Sequence, residues 1–92
     1  MSIYGDAETR DSLEQSLKDL QWLAIETLTR RKDLLDTERE FKVLVRAGKI
    51  SELTQHIFRE RLRRNFRDLD EMLRMIYEQR NLARKELRKL VG

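Results

Sequence analysis

His56 is the only histidine in the chain, and Glu52 and Glu60 stand four residues before and after it. On a helix this spacing puts all three side chains on one face, with donor types that a transition metal accepts. One imidazole with two carboxylates and no second cluster is a thin donor set. The expectation is therefore a histidine among charged neighbours and no metal. Paired carboxylates recur at Asp33/Asp36, Glu38/Glu40 and Asp68/Glu71. Helical enzymes that hold phosphates through Mg²⁺ use such pairs, but they need two unpaired acidic motifs facing each other. Each pair here has a basic residue within a turn, so salt bridging accounts for it better. Gly48-Lys49 is followed by Ile50 and lacks the upstream glycine of a phosphate loop. Ser51 has no orienting third group beyond His56, so it is not an activated nucleophile. The residues point to no enzyme, no cofactor and no small-molecule substrate.

The basic residues are more orderly. Arg59, Arg63 and Arg67 are spaced by four, and Arg80, Arg84 and Arg88 repeat the pattern. Arg61, Arg64, Lys85 and Lys89 thicken the two groups, and Arg30-Arg31-Lys32 adds a third cluster. Like charges four apart on a helix cost a few tenths of a kcal/mol per pair, about 0.2–0.5. An anion would compensate: phosphates, which arginine grips in bidentate fashion, or carboxylates from a facing helix or another subunit. Arg59, Arg63, Arg67, Arg84 and Arg88 are the candidates for such contacts.

These residues have to be carried by helices. Lys, Arg, Asp and Glu make up 40% of the chain, against roughly 25% in ordinary domains, yet the net charge is only +3. Most charges can thus pair along solvated helix faces. Acid-first pairs with a spacing of four occur at Glu14–Lys18, Glu26–Arg30, Glu38–Lys42, Glu60–Arg64 and Asp70–Arg74. There is no proline and no cysteine, which excludes disulfides and thiolate metal sites. No apolar run approaches the roughly 20 residues of a membrane span. Met1–Arg10 shows no signal-peptide pattern. The expectation is a cytoplasmic protein without membrane contact.

Glycines at 5, 48 and 92 punctuate the chain. Residues 1–10 read as a flexible arm, with Asp11 or Ser12 capping a first helix over 11–47. Gly48 can end that helix in the left-handed conformation, and Ser51 can cap the next. The turn is placed at 48–51 and the second helix at 52–90. Two helices joined by so short a loop fold back on each other. A break near Arg63–Asn65 would instead give three helices.

Heptads support the hairpin. Leu62, Phe66, Leu69, Leu73, Ile76, Arg80, Ala83, Leu87 and Leu90 follow alternating steps of four and three. The first helix carries a weaker stripe through Leu13, Leu17, Leu20, Ala24, Thr27, Arg31, Leu34, Glu38, Phe41 and Val45. Its polar middle predicts a seam driest at the open end and at the loop. Arg80 falls on the seam near the level of Asp19, so the two are expected to pair, or the arginine to snorkel outwards.

The fold expected is all-α, an antiparallel two-helix coiled-coil hairpin. Trp22, Ile25, Met75 and Leu82 lie off the stripes at one level and suggest a docking patch. That patch would join two hairpins into a four-helix bundle or seat the chain on a protein partner. The function expected is a non-catalytic interaction module, such as an accessory subunit or adaptor in a nucleic-acid-processing complex. The alternative is a nucleic-acid-binding protein that contacts DNA phosphates through the arginine ladders.

Overall fold

A computed structural model describes the backbone of residues 3–91 and the side chains of residues 8–90. Two helices account for nearly all of it: α1, Ile3–Arg46, and α2, Glu52–Val91. Forty-four residues at about 1.5 Å rise make α1 about 66 Å long, close to the 69 Å long dimension of the molecule. The other two dimensions are 16 Å each, so the helices lie side by side. Among the described residues, no helix is long and apolar enough to cross a membrane.

Helix α1 starts at Ile3, not at Asp11 or Ser12, so the flexible arm expected over residues 1–10 is helical from residue 3 onward. Residues 1 and 2 of that arm lie outside the described residues. Asp11 and Ser12 are exposed positions inside the helix. Their tendency to cap a helix is overridden because nothing downstream of Gly5 breaks the turn, and their polar groups can face water. Arg10 donates to Glu14 Oε1 at 3.3 Å across this stretch and reinforces it. Helix α2 runs unbroken past Arg63–Asn65, which removes the three-helix alternative.

The reversal is a glycine cap followed by a serine cap. Gly48 sits at φ 68°. Its N–H donates to the Val45 carbonyl at 3.0 Å, and the Lys49 N–H donates to the Leu44 carbonyl at 3.1 Å. This crossed pair is the Schellman arrangement, which satisfies carbonyls left over at a helix end. Three residues on, Ser51 Oγ accepts from the Thr54 N–H at 3.2 Å. The Gln55 N–H donates to the Ser51 carbonyl at 2.9 Å as the first bond of α2. Glu52 in the first turn suits the positive end of the helix dipole.

The seam is where the heptads put it. Among the described residues, every buried side chain belongs to the two stripes: Ala24, Thr27 and Phe41 on α1, and Leu62, Leu73, Ile76 and Ala83 on α2. Cross-helix contacts fix an antiparallel register. Thr27 Oγ1 lies 3.5 Å from Met72 Sδ, Arg31 Nε lies 3.0 Å from Asp70 Oδ1, and Phe41 stacks on Phe58 with centroids 4.5 Å apart.

The wetness of the seam differs from expectation. Leu13, Leu17, Leu20 and Leu87 at the open end are only half-buried, whereas Thr27 in the middle is 3% exposed. Thr27 is tolerated there because its hydroxyl donates to the Leu23 carbonyl at 2.7 Å, which leaves its methyl to pack. Among the described residues, no side chain is wholly removed from water.

Candidate interaction surfaces

A two-helix hairpin has two flanks beside its seam. Counting the heptad from the buried stripes, Arg31, Asp70, Tyr77 and Arg80 border one flank, and Leu23, Phe58 and Met72 border the other. The observed contacts agree with this division. Arg31 pairs with Asp70 on the first flank, while Thr27 meets Met72 and Phe41 meets Phe58 on the second.

Both arginine ladders run along the first flank. Arg59 and Arg80 are 21 residues apart, or three heptads, so Arg63 and Arg84 match in position, as do Arg67 and Arg88. The ladders are about 32 Å apart along the axis. Arg63 reaches Glu60 at 3.3 Å. Among the described residues, Arg59, Arg67, Arg84 and Arg88 make no ion pair and no side-chain hydrogen bond.

Helix-surface pairing is otherwise partly rearranged. Glu26–Arg30 at 3.0 Å and Glu38–Lys42 at 3.7 Å form as spaced. Glu14 takes Arg10 instead of Lys18, Glu60 takes Arg63 instead of Arg64, and Asp70 takes Arg31 across the hairpin. Exposed pairs of this kind are worth about 0–1 kcal/mol each, so several partners compete on nearly equal terms.

Arg80 makes no ion pair with Asp19. Its guanidinium lies 4.8 Å above the Tyr77 ring, and its Nε is enclosed without a hydrogen-bond partner. Asp19 Oδ1 accepts from Gln15 Nε2 at 3.0 Å. The two residues share a level but sit on opposite flanks, and level alone cannot bring them together. Tyr77, one turn back on the same flank, offers a ring face to the cation instead.

Trp22 is 65% exposed, Met75 60%, Ile25 57% and Leu82 54%. They share a stretch of the hairpin rather than one face. Trp22 and Ile25 lie on the back of α1, with Ile25 towards the arginine flank, where the exposed Leu28 extends the stripe. Met75 and Leu82 turn towards the other flank. There Met75 lines a shallow groove of about 440 Å³ with Leu20, Met72, Ile76 and Gln79. Together with the exposed Leu23, these residues make an apolar girdle around the hairpin. Leu23, Leu28 and Met72 are its members that the four off-stripe positions did not reveal. They sit beside the seam, where sequence alone does not separate buried from bordering residues.

A second groove, of about 560 Å³, lies near the loop on the arginine flank. Phe41, Val45, Leu62 and Phe66 form its floor, and Lys42, Arg46, Arg59 and Arg63 stand at its rim. Glu38 is the only acid lining it, and Glu38 is engaged by Lys42. His56 is exposed, and among the described residues no three His, Asp or Glu side chains gather to hold a metal. Compared with known proteins, the chain matches no family model, no curated protein and no solved structure.

Proposed function

We propose that this chain is a non-catalytic interaction module, a small helical subunit or adaptor that docks on a protein or on a second copy of itself through the girdle around Trp22, Ile25, Met75 and Leu82. The carrying observation is that girdle. Large apolar side chains are more than half exposed at one level of a hairpin in which no described side chain is wholly buried. Covering them returns about 25 cal/mol per Å² of apolar area, a driving force that the two-helix seam leaves unused. Tryptophan and methionine are also enriched at protein interfaces. A cytoplasmic setting and a four-helix bundle on dimerisation belong to this reading.

The test is Trp22→Asp, with Met75→Asp as a second variant. Light scattering reads the mass, and pull-down from the native source reads partner capture. Loss of the dimer, or of a captured partner, with helical circular dichroism retained is the expected result. Unchanged mass and capture in both variants would exclude docking through the girdle.

One observation favours a second reading, DNA or RNA contact. Both ladders lie on one flank, with Arg59, Arg67, Arg84 and Arg88 free of ion pairs among the described residues. Binding to duplex or single-stranded DNA below about 10 μM, weakening steeply with salt, is what this reading requires.

A further inference from the structure

We infer that the groove beside the loop is a docking site for an acidic amphipathic helix of a protein partner. It does not rest on the girdle, which lies about 30 Å away along the axis.

The floor and the rim make two separate demands. The floor is apolar and runs parallel to both helices: Phe41 and Leu62 are already buried in the seam, and Val45 and Phe66 are its half-exposed part. An occupant must therefore present an apolar stripe that covers Val45 and Phe66. The rim is cationic on both sides: Lys42 and Arg46 from α1, Arg59 and Arg63 from α2. Lys42 and Arg63 are held by Glu38 and Glu60 at 3.7 and 3.3 Å. Arg46 and Arg59 are exposed and make no ion pair among the described residues. An occupant with carboxylates on both sides of its apolar stripe meets the two free cations and covers the floor in one step.

A helix fits better than the other acidic chains. An extended peptide would bring unpaired backbone groups to a surface with no strand edge to bond them. Single-stranded nucleic acid would use aromatic faces for stacking. Here Phe41 is buried and already stacked on Phe58, and Phe66 lies under the Arg31 guanidinium at 5.6 Å. A helix needs neither a strand edge nor a free ring. It would add a third helix to the hairpin over two to three turns, with its acids facing the rim.

The test uses the full chain and a labelled synthetic peptide of three heptads. The peptide carries leucine at i, i+3, i+4 and i+7, with glutamate on both sides of the stripe. A control peptide has lysine in place of every glutamate. The glutamate peptide is expected to bind at least tenfold more tightly than the lysine peptide. The double variant R46E/R59E should weaken it at least tenfold with helical circular dichroism unchanged, since both side chains are exposed. Equal binding of the two peptides, or a double variant that binds as the parent does, overturns the inference. So does an oligothymidylate that outcompetes the glutamate peptide and loses the same factor in R46E/R59E, which would assign the flank to phosphates. A dimer that becomes monomeric in R46E/R59E would assign the groove to a second copy and overturn it as well.

Discussion

Arg31 Nε donates to Asp70 Oδ1 at 3.0 Å, and among the described residues this is the one ion pair that joins α1 to α2. Arg31 occupies a seam position, yet both partners remain partly in water. Asp70→Asn is expected to lower stability by no more than about 1 kcal/mol. Arg31→Leu should be neutral or slightly stabilising, because it continues the apolar stripe. Urea midpoints check both. A loss of 3 kcal/mol or more for either would mean the pair is far better shielded than it is here.

Arg80 presents the opposite case. Its Nε is enclosed and unpartnered, and its guanidinium lies 4.8 Å from the Tyr77 ring. An unsatisfied buried donor costs about 1–3 kcal/mol, and a cation–π contact returns about 0.5–1. Arg80→Leu should therefore raise stability by about 1 kcal/mol, read as a higher melting temperature. A destabilised variant would show that Arg80 has found a carboxylate in solution.

Gly48 takes φ 68°, and a Cβ built there meets nothing within 4 Å. The cost of Gly48→Ala is then conformational alone, about 1–2 kcal/mol. Gly48→Asn should cost less, since asparagine enters the left-handed region more readily. Chemical denaturation of the two variants checks the order, and an alanine variant as stable as the parent would refute the argument.

Ile76 is buried in the seam one turn from Met72, which meets Thr27 in the middle of α1. Ile76→Ala removes atoms that a two-helix seam has few means to replace. A loss of about 2–4 kcal/mol is expected, enough to unfold much of so small a domain at 37 °C. Far-ultraviolet dichroism against temperature measures it. A loss under 1 kcal/mol would place the stabilising core elsewhere.

The hairpin was legible because its information is periodic. The steps of four and three in α2 include all four of its buried residues among the described ones, Leu62, Leu73, Ile76 and Ala83, and Gly48 is the only breaker between the stripes. The start of α1 was not legible. Asp11 and Ser12 are capping residue types, but they act as caps only where the chain has a reason to stop. The Arg80 environment was not legible either. Level alone points to Asp19, whereas heptad position sets Asp19 and Arg80 on opposite flanks; what the heptad does not supply is the Tyr77 ring 4.8 Å from the guanidinium. The groove by the loop was hidden for a similar reason. Lys42 and Arg46 look like ordinary solvated positions of α1 until the fold sets them opposite Arg59 and Arg63.

The Phe41–Phe58 stack has a kinetic consequence. Of the cross-helix contacts described above it closes the smallest loop, and each layer further from the turn adds only a few residues to the chain already closed. Closure entropy grows slowly with length, so the zipper's initiation is steep and its extension cheap. Assembly is expected to begin at the turn and travel outward, with fraying in the reverse order. Amide exchange should then be slowest near Phe41 and Phe58 and fastest around Leu13 and Leu87. A gradient running the other way would place the nucleus at the open end.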